Sequence, residues 1–252
     1  MKKEYIAYNR NMGIIRVSDS SANKSNLIYI HNAVCELLGQ VGGKSKADCD
    51  DKRSVISFSV DEPYALYLKG EIEDKIADII CVNYKYRYFK KNINPVGLND
   101  FEYELLLTAL ISADIDDDKK YVINKIGRFD EYSVDGTFNF RMNALKEKWK
   151  DVAEYIPPYF VSGQLKDFIV YLVKEKKGRR VFVEDDKVYD RHFNRLTRCF
   201  LTNGDFGDGY VIREVLLSGS GEVELTSPVN KTDEFYLKEY FGDKIFFRKK
   251  SF

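Results

Sequence analysis

The feature that most constrains the fold is the proline pair at 157–158, which separates two amphipathic runs. Before it, apolar residues recur at the spacing of one helical face, at Leu145, Trp149, Val152, Ala153 and Ile156. A second stripe of the same period follows it, at Leu165, Phe168, Ile169, Leu172 and Val173. Because a proline ring cannot continue a helix, the sequence predicts two helices over 143–177, with Gly178 as the C-cap of the second. We expect them to form an αα-hairpin whose stripes face a shared core and bury Trp149 and Phe168.

The first sixty residues combine two periods and predict a small α/β unit. Alternating apolar residues indicate three short strands, at 4–8, 13–18 and 55–58. Between the second and third strands, 27–38 has helical spacing and ends at Gly39. The stretch 42–52 is polar and contains glycine, so we expect a surface loop there.

The middle of the chain, residues 61–177, is mostly helical in pattern. One long helical period covers 63–91. Asn99 and Glu102 have the spacing of a capping box and predict the start of another helix. Asp116–Asp118 are expected at a helix N-terminus, where the macrodipole favours negative charge. Within 129–140, the pair Asp135-Gly136 favours a turn or a hairpin.

The C-terminal region, 178–252, returns to the period of strands. Residues 181–189 alternate around Asp185-Asp186 and predict a β-hairpin, and 211–219 predicts a short helix. Strand, helix and strand patterns then follow over 222–247, which is typical of a parallel βαβ crossover.

These patterns predict an α+β protein. It has a small N-terminal α/β unit, a helical middle with an αα-hairpin, and a C-terminal β-hairpin plus βαβ unit. We expect the three regions 1–60, 61–177 and 178–252 to pack together as one or two globular units.

Composition excludes several classes of protein. With 252 residues, 44% of them hydrophobic, the chain can bury a core, and 40 basic against 40 acidic residues give no global field for nucleic acid or membranes. No apolar run approaches the roughly 18 residues of a membrane span, and the N-terminus lacks the apolar part of a signal peptide. We therefore expect a cytoplasmic protein. Four scattered cysteines and two histidines predict no disulfide, no metal site and no cofactor.

Two short motifs suggest phosphate or metal binding, and each lacks a required part. Gly43-Lys44-Ser45 resembles the end of a P-loop, but the earlier glycine is replaced by Leu38. Asp114, Asp116 and Asp118 have the opening spacing of a calcium loop, but Lys119 and Lys125 stand where glycine and glutamate are needed.

Two further motifs suggest catalysis. Asp205-Phe206-Gly207 copies a kinase tripeptide without its partner motifs. His192 could act as a general base beside Asp190 or Glu184, but no nucleophile accompanies it. The residues therefore predict no catalytic site, and an enzyme acting on a phosphorylated substrate stays an alternative.

Two tracts, 84–91 and 174–180, carry clustered basic residues, in the first case interleaved with aromatic ones. Such tracts can bind phosphates and stack bases, although Lys near a helix C-terminus is also expected from the helix dipole alone. The candidate contacts to nucleic acid or a partner are Lys85, Arg87, Lys90, Lys91, Lys176, Lys177, Arg179 and Arg180.

From Phe138 onward the sequence resembles the YtxC family of sporulation proteins from endospore-forming bacteria. The strings that carry the resemblance are FNFRMNALKEKWKDVAEYI, PYFVSGQLKDFIVYLVKEKKGRRVFVEDDKVYD, VIREVLLSGSGEVELTSP and EYFGDKIFFRK. A weaker match covers 72–118, while the N-terminal third and the insertion NGDFGDG depart from the family. The resemblance implies a cytosolic, sporulation-associated protein, with no catalytic positions to transfer.

The sequence thus predicts a non-enzymatic, sporulation-associated protein that acts through contacts with another macromolecule, most simply a protein. Nucleic-acid binding through the two basic tracts is the first alternative. An exposed patch of apolar or aromatic side chains would favour the binding function, because monomers carry few such patches.

Overall fold

The computed structural model describes residues 12–127, 129, 131–176, 178–202 and 207–248, so the strand predicted at 4–8 lies outside the described residues. The protein has an α+β fold, as predicted. It divides into two compact units. The first contains Met1–Ala77 and Ile123–Asn143, and the second contains Asp78–Val122 and Ala144–Phe252.

The first unit is built on a four-stranded sheet in the order β2-β3-β1-β4. Its strands are β1 (Met12–Ser20), β2 (Lys44–Cys49), β3 (Arg53–Asp61) and β4 (Glu131–Ser133). β1 pairs antiparallel with β3 and parallel with β4. Alternate residues of β1 and β3 are buried, and helix α1 (Lys24–Gln40) packs against both strands. The strands predicted at 13–18 and 55–58 and the helix at 27–38 are confirmed.

Two predictions in the first unit are wrong. The loop expected at 42–52 contains the strand β2, whose residues are all exposed. An edge strand with no buried face needs no apolar alternation, so its pattern resembles a loop. The turn expected at 129–140 is instead β4 followed by helix α6 (Val134–Arg141). Ser133 caps this helix by accepting the Gly136 N–H at 3.1 Å, which places Asp135-Gly136 in its first turn.

The predicted helical period at 63–91 is observed, with an internal irregularity. Helix α2 (Glu62–Asp78) is followed by a π-helical segment (Ile79–Tyr84) and by helix α3 (Lys85–Asn92). Helix α4 (Asp100–Ala113) begins with the predicted capping box, and helix α5 (Ile115–Ile126) carries its three aspartates in the first turn, as predicted.

The helices on either side of the proline pair are α7 (Asn143–Tyr155) and α8 (Ser162–Glu175). Trp149 is fully buried and Phe168 is half-buried. The expected packing of these two helices on each other is wrong, because α8 packs against α4 and α10 (Lys231–Phe241) rather than against α7. The predicted C-cap is two residues late. Lys176 caps α8, with its N–H donating to Leu172, and the left-handed Gly178 (φ 75°) comes after the helix has already ended.

A second four-stranded sheet, in the order β6-β5-β7-β8, forms the C-terminal region. Its strands are β5 (Arg180–Glu184), β6 (Lys187–Tyr189), β7 (Glu222–Leu225) and β8 (Ile245–Phe247). β5 and β6 form the predicted antiparallel hairpin, and β7, α10 and β8 form the predicted parallel βαβ unit. Helix α9 (Tyr210–Leu217) lies between β6 and β7 in the chain and packs against α10.

Within the described residues, no helix combines the length and the apolar character that crossing a membrane requires.

Candidate functional site

The first basic tract places its charges in two different environments. Lys85 is fully buried, whereas Arg87, Lys90 and Lys91 are exposed on α3. Lys90 donates to Glu104 at 3.0 Å and to the Tyr86 hydroxyl at 2.8 Å. The hydrogen bond with Tyr86 raises the pKa of Lys90. Lys90, a predicted contact residue, therefore binds groups of the protein itself.

A buried ion network surrounds Lys85. Its ammonium group pairs with Asp114 and, at 2.8 Å, with Asp118. Asp118 also accepts from Lys148 Nζ at 2.6 Å and from the indole N–H of Trp149 at 3.2 Å. Burial alone would raise the pKa of Asp118, but Lys85 and Lys148 outweigh burial and hold the pKa below its ordinary value. The network ties α3, α5 and α7 together, and sequence reasoning missed it because its members are distant in the chain.

The second basic tract leads into the C-terminal sheet. Lys176 and Arg179 both pair with Asp116, at 3.6 and 2.5 Å. Burial tends to raise the pKa of Asp116, and the Arg179 guanidinium lowers it below its usual value. Lys177 lies outside the described residues. Arg180, the first residue of β5, reaches the outer face of the sheet.

Aromatic side chains line that outer face. Val181 and Val183 are buried, so the alternate residues of β5 point away from the core. Strand register places three aromatic residues and one glutamate side by side across the four strands, in the order Tyr189, Phe182, Glu224 and Phe246. We call this set the aromatic row.

Arg180 lies across the aromatic row. Its guanidinium carbon is 4.2 Å from the centre of the Phe246 ring, a cation–π contact. Its nitrogens donate to Glu222 at 2.8 Å and to Glu224 at 3.2 Å, so both carboxylates of β7 are compensated on this face.

The aromatic row is extended by an exposed loop, Asp190–Arg195, which we call the aromatic loop. The ring of Phe193 stacks on Phe182 with centroids 4.9 Å apart and planes 18° from parallel. Phe193 is nevertheless 65% exposed, and its backbone is left-handed, with a φ of 61°. A bulky residue adopts this conformation only under constraint.

The constraint comes from Asp190. Its carboxylate accepts the backbone N–H groups of His192 at 2.8 Å and Asn194 at 2.9 Å, and the Asn194 side chain at 3.1 Å. Partial burial would raise the pKa of Asp190, but these hydrogen bonds lower it below its usual value. The Phe193 N–H donates to the Asp190 carbonyl at 3.0 Å and closes the turn. The loop is therefore held in one shape that presents Phe193 to solvent.

The exposed part of the loop is rich in hydrogen-bond donors and contains no carboxylate. Its exposed residues, in order, are Arg191, His192, Phe193, Asn194 and Arg195. Arg191 Nε donates to His192 Nε2 at 3.0 Å, so His192 is oriented by its neighbour rather than by a nucleophile. Sequence reasoning considered His192 as a base and missed Phe193. The only signal was Asp190, an Asx-turn former four residues before Asn194.

Two cavities in the described part of the chain are not lined by residues of the aromatic row or the aromatic loop. One of about 350 Å³ opens between α10 and the carboxyl ends of β7 and β8, lined mainly by apolar side chains such as Leu237 and Ile245. Another, of about 320 Å³, lies in the first unit beside Phe129 and Arg141. Among the residues that the structure describes, no cluster of three or more His, Cys, Asp or Glu side chains could hold a metal ion.

No family model, no curated protein and no solved structure matches this chain. The candidate site therefore rests on the chemistry of its own residues. Its main feature is Phe193, an exposed aromatic residue with a left-handed backbone that stacks on the aromatic row.

Proposed function

We propose that this protein is a non-enzymatic binding protein that contacts another macromolecule through the aromatic loop and the aromatic row. Following the resemblance to the YtxC family, we propose that it acts in the cytoplasm of an endospore-forming bacterium during sporulation.

The left-handed conformation of Phe193 supports a binding role most directly. A residue with a Cβ atom loses about 1–2 kcal/mol in this conformation. Such strain concentrates where a protein uses a particular side-chain placement. Burial of the ring does not offset the strain, because Phe193 is 65% exposed. The conformation therefore serves to present an aromatic surface to a partner.

The buried ionisable groups favour binding over catalysis, because protein donors satisfy them. Asp118 is bound by two lysines and an indole N–H. Glu214, whose pKa is raised by complete burial, accepts the N–H groups of Arg198 at 2.9 Å and Cys199 at 2.7 Å. Neither carboxylate lines the cavities described above. A catalytic acid or base would need access to a substrate.

The test replaces the chromosomal copy with Phe193→Ala in the source organism. We expect this strain to form as few heat-resistant spores as a deletion strain. The matched control is Phe235→Ala, because Phe235 is 59% exposed on α10 and also contacts one aromatic neighbour, Tyr236. The control should sporulate normally. A deletion without effect on spore yield would overturn the sporulation role, and normal sporulation of Phe193→Ala would overturn the role of the loop.

A further inference from the structure

We infer that the partner is a single-stranded nucleic acid, with one base stacked on Phe193 and the adjacent phosphates bound by Arg191 and Arg195. This inference rests on the proposed binding function and names the chemistry of the partner.

Stacking is the first contact. One face of the Phe193 ring rests on Phe182, in a nearly parallel arrangement, and the ring is otherwise largely exposed. An unpaired base can continue this stack on the opposite face. Base–aromatic stacking contributes about 1–3 kcal/mol per base and tolerates any sequence, because every base has a π face.

Charge is the second contact. Arg191 and Arg195 stand two residues before and two residues after Phe193 in the loop, and both are exposed. Arg195 also hydrogen-bonds the hydroxyl of Tyr210, which leaves its other guanidinium N–H groups for a phosphate. The nearest carboxylate in the sequence, Asp190, is turned toward the N–H groups of its own loop. Hydrogen bonds from Arg180 compensate the carboxylates of β7 on the same sheet face. The surface around Phe193 therefore offers guanidinium groups to a phosphate backbone.

The composition of the loop favours nucleic acid over an apolar protein segment. Its five exposed residues include one phenyl ring and no aliphatic side chain, while arginine, histidine and asparagine supply donors for phosphates and base edges. A duplex keeps its bases stacked on one another, so a protruding ring selects an unpaired base.

The test is the fluorescence anisotropy of labelled oligouridine and oligothymidine, titrated with the full chain. We expect Phe193→Ala to weaken binding by roughly 5- to 150-fold, which corresponds to the loss of one stacked base. Arg191→Ala should reduce the slope of log K against log salt concentration by about 0.7. Phe235→Ala should bind as the wild type does. A duplex of the same length should bind more weakly than either single strand.

Three results would overturn the inference. They are the absence of oligonucleotide binding, equal binding by wild type and Phe193→Ala, and tighter binding of the duplex. Circular dichroism and the fluorescence of Trp149 establish that each variant is folded. If oligonucleotides do not bind but Phe193→Ala still impairs sporulation, the proposed binding function stands with a protein as the partner. If oligonucleotides bind through Phe193 but the variant sporulates normally, the inference stands and the proposed role in sporulation fails.

Discussion

At the scale of single residues, the backbone of Phe193 can be separated from its ring. Phe193→Gly and Phe193→Ala both remove the stack on Phe182, but only alanine keeps a Cβ atom in the left-handed conformation. We therefore expect Phe193→Gly to be more stable than Phe193→Ala by about 1 kcal/mol. Urea unfolding, followed by the fluorescence of Trp149, the single tryptophan, measures the difference.

For the control residue Phe235, we expect the opposite order of stability between the glycine and alanine variants. Phe235 lies within α10, where glycine is about 1 kcal/mol less favourable than alanine. Phe235→Gly should therefore be less stable than Phe235→Ala. Equal stability of the two Phe193 variants would contradict a backbone strain of this size.

The buried network around Asp118 predicts a dependence of stability on acid. The pKa of Asp118 is lower in the folded protein than its ordinary value of 3.8, so the unfolded chain takes up the proton first. The stability that the carboxylate contributes is complete well above pH 4 and is lost as the pH falls through the folded pKa. We expect Asp118→Asn to flatten this loss and to destabilise the protein at neutral pH by about 1–3 kcal/mol, because the buried Lys85 loses one of its two carboxylate partners and keeps Asp114.

A neighbour provides the comparison. Asp117 is one residue earlier on α5, but its side chain is 79% exposed and pairs with the exposed Lys120 at 3.4 Å. Asp117→Asn should change the free energy of unfolding by less than about 1 kcal/mol at neutral pH. Equal effects of the two substitutions in urea titrations across the acid range would contradict the role of the network.

At the scale of elements, Gly209 sets the start of α9 against α4. Its φ is 80°, and a Cβ atom there would overlap the ring of Phe101, which belongs to α4. Gly209→Ala should therefore combine backbone strain with overpacking and lower the free energy of unfolding by about 2–4 kcal/mol.

Gly178 separates these two effects. It has a similar φ of 75°, but a Cβ atom there would meet nothing within 4 Å. Gly178→Ala should lose only the backbone contribution, about 1 kcal/mol. If both alanine variants are equally stable in urea unfolding, Phe101 yields without cost and the packing of α4 on α9 is looser than its geometry indicates.

The elements that could be predicted from the sequence are those whose signal is local. The capping box at Asn99 and Glu102 closes within one helical turn, and the hairpin turn at Asp185-Asp186 lies between strands that are adjacent in the chain. β2 could not be predicted, because an exposed strand is specified by its partner β3 and not by its own pattern. The π-helical segment before Lys85 gave no signal in the helical period.

The difference between local and long-range signals also explains which residues of the candidate site could be predicted from the sequence. Arg180 could be predicted as a contact residue because it belongs to a basic tract that is visible in the sequence. In the structure it lies on the outer face of the sheet. Phe193 was not predicted, since its position depends on the pairing of β5 with β6 and on a left-handed backbone. The sequence around Phe193 does not indicate that backbone conformation. The burial of Lys85 required contacts with Asp114 and Asp118, which lie about thirty residues away.

At the scale of the whole molecule, the formal charge is zero, so binding of a polyanion must depend on where the charges lie. Arg191→Glu and Lys91→Glu change the net charge equally, from zero to minus two. Arg191 lies in the aromatic loop, whereas Lys91 is an exposed residue of α3 in the first basic tract. We expect Arg191→Glu to weaken oligonucleotide binding more than about tenfold and Lys91→Glu to change it less than about twofold, because the inference assigns the phosphate contacts to the aromatic loop and none to α3. Equal weakening in anisotropy titrations would mean that net charge, or a surface that includes the first basic tract, governs association. That result would contradict the assignment of the aromatic loop as the binding site.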